Sequence, residues 1–193
     1  MISIVFPDRS IKKFEKGTKV IDVAKSISEG LARKVISASF NKEAYEIESE
    51  LHFDGNIKFH TWEDDEGKQA FWHSSAHILA QTIKFFYPKC KLTIGPSIEN
   101  GFYYDVDFGE DAISEKDFKK IEEKFLEFAR LDSQFEMKSI SKNDALDFYK
   151  KENNQYKIEL IDGLDDGTIT FCDHSDFSDL CKGGHIPSTG IVK

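Results

Sequence analysis

Ile2-Ser3-Ile4-Val5-Phe6-Pro7-Asp8 opens the chain, and its alternation decides how residues 1–62 are read. Ile2, Ile4 and Phe6 fall on one face of an extended segment, and Pro7-Asp8 is a turn former, so the stretch reads as the first arm of a hairpin. Ile11 to Phe14 supplies the return strand. Glu15-Lys16-Gly17 turns the chain, and Thr18 is placed to cap a helix whose apolar Val20, Val23, Ala24 and Ile27 keep helical spacing. Gly30 suits the end of that helix. Short strands follow at Val35 to Phe40, Tyr45 to Ile47 and Ile57 to Phe59, with turns at Asn41-Lys42 and Asp54-Gly55. Two strands, a helix and further short strands outline a small β-grasp domain.

At Asp64-Asp65-Glu66-Gly67 the pattern changes to a long helix that runs through Phe86 and is stopped by Pro88. His73 and His77, four positions apart, must share a face of it. Gly101 to Asp107 reads as one strand with aromatic faces. Ser114-Glu115-Lys116-Asp117 has the form of a capping box ahead of the stripe Phe118, Ile121, Phe125 and Phe128, and Ser141-Lys142-Asn143-Asp144 repeats the device. Strands are expected at Tyr156 to Ile161 and Thr168 to Asp173. The fold class is α+β, with a small β-grasp domain over 1–62 and a larger α+β domain over 63–193.

Composition narrows the function. At 193 residues with 39% hydrophobic content and 17 phenylalanines, the chain can fill real cores. It has neither a leader-like apolar run nor a stretch approaching the ~18 apolar residues of a spanning helix. Three cysteines, Cys90, Cys172 and Cys181, are an odd number at irregular spacing and fit free thiols in a reducing compartment. A soluble, cytoplasmic protein with no membrane partner is expected. The net charge of −9 argues against indiscriminate nucleic-acid binding. The acidic excess lies wholly after residue 63, whereas Lys12, Lys13, Lys16, Arg33 and their neighbours make the N-terminal module one candidate surface for a polyanion, a solvated lysine face being the equal alternative.

Two pairs carry the chemistry: His73-Ser74-Ser75-Ala76-His77 and Cys181-Lys182-Gly183-Gly184-His185. Imidazole and thiolate are good zinc ligands, but four such ligands fill a tetrahedral ion and leave no position for an activated water. The pairs are therefore competent to bind metal without showing that a metal does chemistry. A metal-free site would suit an easier hydrolysis such as that of an ester, where a histidine or lysine orients water and polar donors hold the oxyanion. Asp179 could then bind a cationic amino group, with Tyr104 and Lys157 as donors. Gly183 and Gly184 put the second pair on a turn or strand end. His52 and His60 read as structural, and His174 has no partner at such spacing.

The segments His73 to His77, Ile94-Gly95-Pro96-Ser97-Ile98-Glu99-Asn100-Gly101-Phe102-Tyr103-Tyr104-Asp105-Val106 and Asp179 to His185 resemble the editing domain of bacterial-type threonyl-tRNA synthetases. The module in front resembles their TGS domain, and the likeness covers essentially the whole chain in the family's order. It implies a pocket that hydrolyses seryl-tRNA(Thr) made in error. The resemblance also implies that His73, His77, Lys157, Cys181 and His185 are its catalytic set and that Tyr104 and Asp179 bind substrate. His73 and Lys157 would activate or orient water, and Asp179 would take the amino group. The implied partner is the acceptor end of tRNA(Thr). No cofactor is implied for editing, and zinc at the His/Cys pairs is an alternative that is not favoured. ATP, magnesium and a threonine-selecting zinc belong to a ligase core expected beyond Lys193. By the same resemblance the full-length enzyme is a homodimer and this region by itself a monomer. The competing readings are a zinc-dependent alanyl-type editing protein and a non-catalytic TGS RNA-binding module. Gly184 stands where the family usually has proline, which is expected to loosen the turn presenting His185.

Overall fold

The alternating apolar residues of the first strand do what their period requires. In a computed structural model describing residues 1–193, Ile2 and Ile4 are buried along the strand Ile2–Val5. This strand pairs antiparallel with Ile11–Phe14 on one side and parallel with Gly55–Thr61 on the other. Gly55–Thr61 pairs antiparallel with Val35–Phe40, which in turn pairs with Glu43–Tyr45 at the sheet edge. The last hairpin is closed by Asn41 and Lys42, both with positive φ (52° and 73°), the backbone that a tight two-residue turn demands. Helix α1 (Val20–Lys25) buries Val20, Val23 and Ala24 against Ile2, Ile4, Val35, Leu51 and Ile57. One helix over a mixed sheet whose first and last strands run parallel is the β-grasp arrangement.

Three local expectations in this region fail. Thr18 does not cap α1, because Thr18–Lys19 is drawn into a two-residue ladder with Glu50–Leu51, and its hydroxyl donates to the carbonyl of Glu15 instead (2.8 Å). Gly30 does not end α1. It lies inside a separate short helix, α2 (Glu29–Ala32), whose cap is Ser28, its Oγ accepting from the Leu31 N–H at 3.0 Å. The strand expected at Tyr45 to Ile47 is Glu43–Tyr45, and Ile47 is buried instead through its packing.

Helix α3 (Asp65–Phe86) follows, as the long apolar period predicts. Helix α4 (Glu115–Arg130) is opened by Ser114, whose N–H and hydroxyl both donate to Asp117 Oδ2 (2.9 and 2.8 Å). Ser141 caps helix α5 (Lys142–Lys151) by accepting from the Asp144 N–H. A three-stranded antiparallel sheet is built from Glu136–Ser139, Thr170–His174 and Phe177–Leu180. The molecule divides into two compact units, Met1–Phe71 with Gly183–Pro187, and Trp72–Lys182 with Ser188–Lys193. The second holds two apolar cores. Ile83, Tyr87, Leu92, Ile121 and Phe177 gather in one, and Ala145, Tyr149, Ile161, Ile169 and Phe171 in the other.

Two corrections in this unit bear on the site. The single strand read from Gly101 to Asp107 is broken: Gly101–Phe102 pairs with Ser97–Ile98, and Val106–Asp107 pairs with Lys91–Leu92. The strand read from Tyr156 to Ile161 is a helix, α6 (Gln155–Asp162). Its alternation of Tyr156, Ile158 and Leu160 mimics a strand, but Tyr156 and Leu160 are exposed while Lys157 and Ile161 are buried, the i, i+4 signature of a helix face. Asn154 decides the matter. Its Oδ1 accepts from the Lys157 N–H (3.3 Å) as a cap, and its Nδ2 donates to the carbonyl of Leu92 (2.8 Å). Asn154→Ala is expected to cost about 1–3 kcal/mol, through the lost cap and a buried carbonyl left without its donor. Urea unfolding checks this, and a variant as stable as the wild type would refute it.

Candidate functional site

Helix α3 carries the first pair. His73 and His77 sit one turn apart with ring centroids 4.8 Å from each other, His73 half-buried and His77 buried. Cys181 lies just beyond the strand Phe177–Leu180. Its N–H donates to the Thr170 carbonyl at 3.0 Å, and its own carbonyl accepts from the Thr170 hydroxyl. These bonds fix the thiol at a place where Sγ is 3.0 Å from His73 Nε2. The ligand atoms of His73, His77 and Cys181 lie within 4.8 Å of one another, so one nitrogen–sulfur set is gathered that is chemically able to hold a zinc ion.

A second group is built around Asp179. This carboxylate is 3% exposed, and burying it alone would cost several kcal/mol. Four donors offset that. Lys157 Nζ stands 2.5 Å from Oδ1, the Tyr149 hydroxyl donates to Oδ1 at 2.9 Å, and the Leu180 N–H donates to it at 2.9 Å. The Tyr104 hydroxyl donates to Oδ2 at 2.5 Å. Burial pushes the Asp179 acid up, but the Lys157 ammonium, the nearby His77 and these hydrogen bonds outweigh it and hold the group below the usual carboxylate range. Burial, then the neighbouring carboxylate, hold Tyr104 and Tyr149 well above the usual phenol range, so both remain donors.

Local sequence explains how these groups are presented. Helix α6, capped by Asn154, carries Lys157 on its buried face together with Ile161. The break between Gly101–Phe102 and Val106–Asp107 frees the intervening residues from a pleat, leaving Tyr103 exposed and Tyr104 directed at Asp179. Gly95 makes room for that ring: a Cβ there would stand 2.3 Å from Tyr104 Cδ2. The glycine of the Ile94-Gly95-Pro96 motif is therefore a steric requirement.

His185 is held differently. It belongs to Gly183–Pro187, the stretch counted with the N-terminal unit, and is fully buried. Glu46 takes its backbone N–H (3.1 Å) and its Nδ1 (3.0 Å). Gly183 and Gly184 both have positive φ (95° and 91°), as the glycine pair predicts. The Gly184 N–H donates to the same Glu46 carboxylate at 2.9 Å. Proline could supply neither that φ nor that donor. The turn is thus tied down, contrary to the loosening expected at this position.

Sequence reasoning missed Tyr149 and Glu46, which touch Asp179 and His185 from 30 and 139 residues away, and no spacing signals either contact. It also passed over His174, which is buried with its ring centroid 6.2 Å from that of His77. His60 is structural as read, hydrogen-bonded to the Ser39 hydroxyl at 2.7 Å. Its relative His52 is exposed beside Glu50. No helix is long and apolar enough to cross a membrane.

Comparison with known proteins adds the family. Residues 2–61 match the profile of the TGS domain. The whole chain is 58% identical to a threonine–tRNA ligase of Flavobacterium psychrophilum, 48% to one of Cytophaga hutchinsonii and 47% to one of Clostridioides difficile. In each case it covers 100% of this chain and 30% of the relative, so the chain spans about 30% of the length of the curated proteins it matches. These relatives are all threonine–tRNA ligases, aminoacyl-tRNA synthetases of protein biosynthesis, and residues 1–193, with a TGS domain in front, match their N-terminal region along the whole chain.

Proposed function

We propose that this region edits: it hydrolyses the ester of serine wrongly joined to the threonine-specific tRNA, within an enzyme that works in the cytoplasm. A TGS domain over 1–62 and an editing domain over 63–193 are the proposed division. The need is physical. Serine lacks one methyl group of threonine, and one such group is worth only ~1–3 kcal/mol of discrimination, so a second pocket must supply the remaining fidelity. The observation that carries the reading is the buried Asp179 network, with Lys157, Tyr104 and Tyr149, in the same unit as the His73–Cys181 contact.

The chemistry follows from the donors. A carboxylate has about four acceptor positions. Three donors crowd Asp179 Oδ1 and one meets Oδ2, so Oδ2 retains capacity for the ammonium of an aminoacyl ester. Lys157, ion-paired and buried, serves as a charged donor whose other N–H bonds hold water or the developing oxyanion. An imidazole suits proton transfer near neutral pH, which assigns His73 to water activation, with His77 and Cys181 beside it. His185 is placed in the set by the motif, four positions after Cys181. The partner is the acceptor end of tRNA(Thr), and a homodimer is proposed for the full-length enzyme. ATP and magnesium belong to ligase chemistry beyond these residues.

Incubation with seryl- and threonyl-tRNA(Thr) tests the reading, with selective loss of the seryl ester expected. Equal rates for both esters would sink it. His73→Ala is expected to slow that loss by about 10²–10⁴-fold, the range for a lost proton-transfer group. A variant with unchanged rate would remove His73 from the chemistry. Gly95→Ala should displace the Tyr104 ring from Asp179 and lower the rate while the protein stays folded. Retention of full activity would show that the Tyr104 contact is dispensable.

A zinc-dependent site is the second reading, favoured by the gathered ligands of His73, His77 and Cys181. When bound there, zinc would supply Lewis-acid polarisation of a carbonyl or water. Metal analysis and a chelator separate the two readings. Hydrolysis undiminished by chelation is expected, whereas stoichiometric zinc with activity lost on its removal would favour the metal.

A further inference from the structure

Glu46 sits in the N-terminal unit, yet its carboxylate is committed to the second motif. Oε1 accepts from the Gly184 N–H at 2.9 Å and stands 3.0 Å from His185 Nδ1, and Oε2 accepts from the His185 N–H at 3.1 Å. The His185 side chain is 0% exposed and that of Glu46 12%, so these are shielded, charge-assisted bonds. A generic tether of the 183–187 stretch would need only the backbone donors. The ring contact does something more. A neutral imidazole that gives its Nδ1 proton to a carboxylate keeps its lone pair on Nε2, with the ring plane fixed.

We propose that Glu46 is a positioning residue for His185: it sets the Nδ1–H tautomer and the ring orientation, which leaves Nε2 as the acceptor nitrogen of the imidazole. The proposal rests on the editing reading for its catalytic consequence, but the tautomer itself does not depend on that reading. It assigns the β-grasp module a chemical task at a motif 139 residues away, carried by a single side chain. It also explains Gly184. With φ at 91° and its N–H on Glu46, that residue joins the clamp in a way proline could not. In this chain the glycine and Glu46 form one unit.

The test uses the full chain and two readouts. Two-bond ¹⁵N–¹H correlation spectra, assigned by loss of the His185 signals in His185→Ala, report the tautomer directly. The wild type is expected to show His185 protonated on Nδ1. Glu46→Ala should move the ring to a mixture or to the Nε2–H form, and Glu46→Gln, which keeps an acceptor oxygen, should largely retain the wild-type pattern. For seryl-tRNA(Thr) hydrolysis, Glu46→Ala should lower kcat about 10–100-fold, the usual cost of removing a carboxylate behind a functional histidine, with KM changed less than threefold. Glu46→Gln should recover most of that loss.

An unchanged tautomer and kcat in Glu46→Ala would overturn the proposal. So would a Glu46→Gln variant as impaired as Glu46→Ala while its melting temperature matches the wild type. If Glu46→Ala fails to fold, the Gln variant's spectrum decides alone, and an Nε2–H ring in the wild type refutes the proposal outright. If the wild type hydrolyses no seryl ester, the editing reading falls while the spectra still decide the role of Glu46.

Discussion

A single buried carboxylate organises the second unit. Asp179 draws Tyr104 from a broken strand, Tyr149 from α5 and Lys157 from α6 onto one acceptor, while its own backbone is part of a sheet strand. Tyr104 is far from the other two in sequence, and Tyr149 and Lys157 come from successive helices. Each contact satisfies a polar group that would otherwise be buried without a partner, so the cost of losing one falls on all. Removing the Lys157 charge would leave an uncompensated buried anion, a change typically worth about 3–5 kcal/mol. The same arrangement that holds the helices in place therefore fixes the charged groups of the proposed pocket.

The network places demands on residues that carry no chemistry. Gly95 has to lack a side chain because the Tyr104 ring occupies that volume. Asn154 both caps α6 and reaches Leu92, which ties the first turn of the helix, with Lys157 in it, to the strand Lys91–Leu92. Tyr149 is shared as well. It donates to Asp179, and its oxygen accepts from the Leu180 N–H at 2.8 Å, linking α5 to the strand that delivers Cys181. A motif residue such as Cys181 is thus placed by hydrogen bonds among residues that no motif names.

The sequence was legible where local rules govern. The β-grasp order, the long helix with its histidine pair, both serine caps and the glycine turn before His185 follow from period, capping and positive φ. It was not legible where tertiary contacts override a period. Tyr156, Ile158 and Leu160 alternate as in a strand, and only the Asn154 cap with the burial of Lys157 makes them a helix. The site split in the same way. His73, His77 and Cys181 are visible as spaced pairs, while Glu46 and Tyr149 are long-range hydrogen-bond partners whose residue types are common on any surface. Gly184 marks the boundary between the two cases. Its need for positive φ can be read from glycine itself, but the donor it gives to Glu46 appears only when the chain is folded.

On the editing reading, the rigidity of this network bears on selectivity. The ammonium that Asp179 would bind is common to serine and threonine, so it cannot discriminate between them. Its use is to fix where the side chain of the amino acid falls. Discrimination then depends on a wall meeting threonine's extra methyl, and a wall rejects a methyl only if the anchor does not slide. A slack of about 1 Å is enough to lose such precision. An anchor with three donors on one oxygen and a fourth on the other, closed in by two protonated phenols, has little freedom to slide. The carboxylate's fourfold hydrogen bonding is therefore as much a determinant of specificity as of stability, although it touches neither the methyl nor the scissile bond.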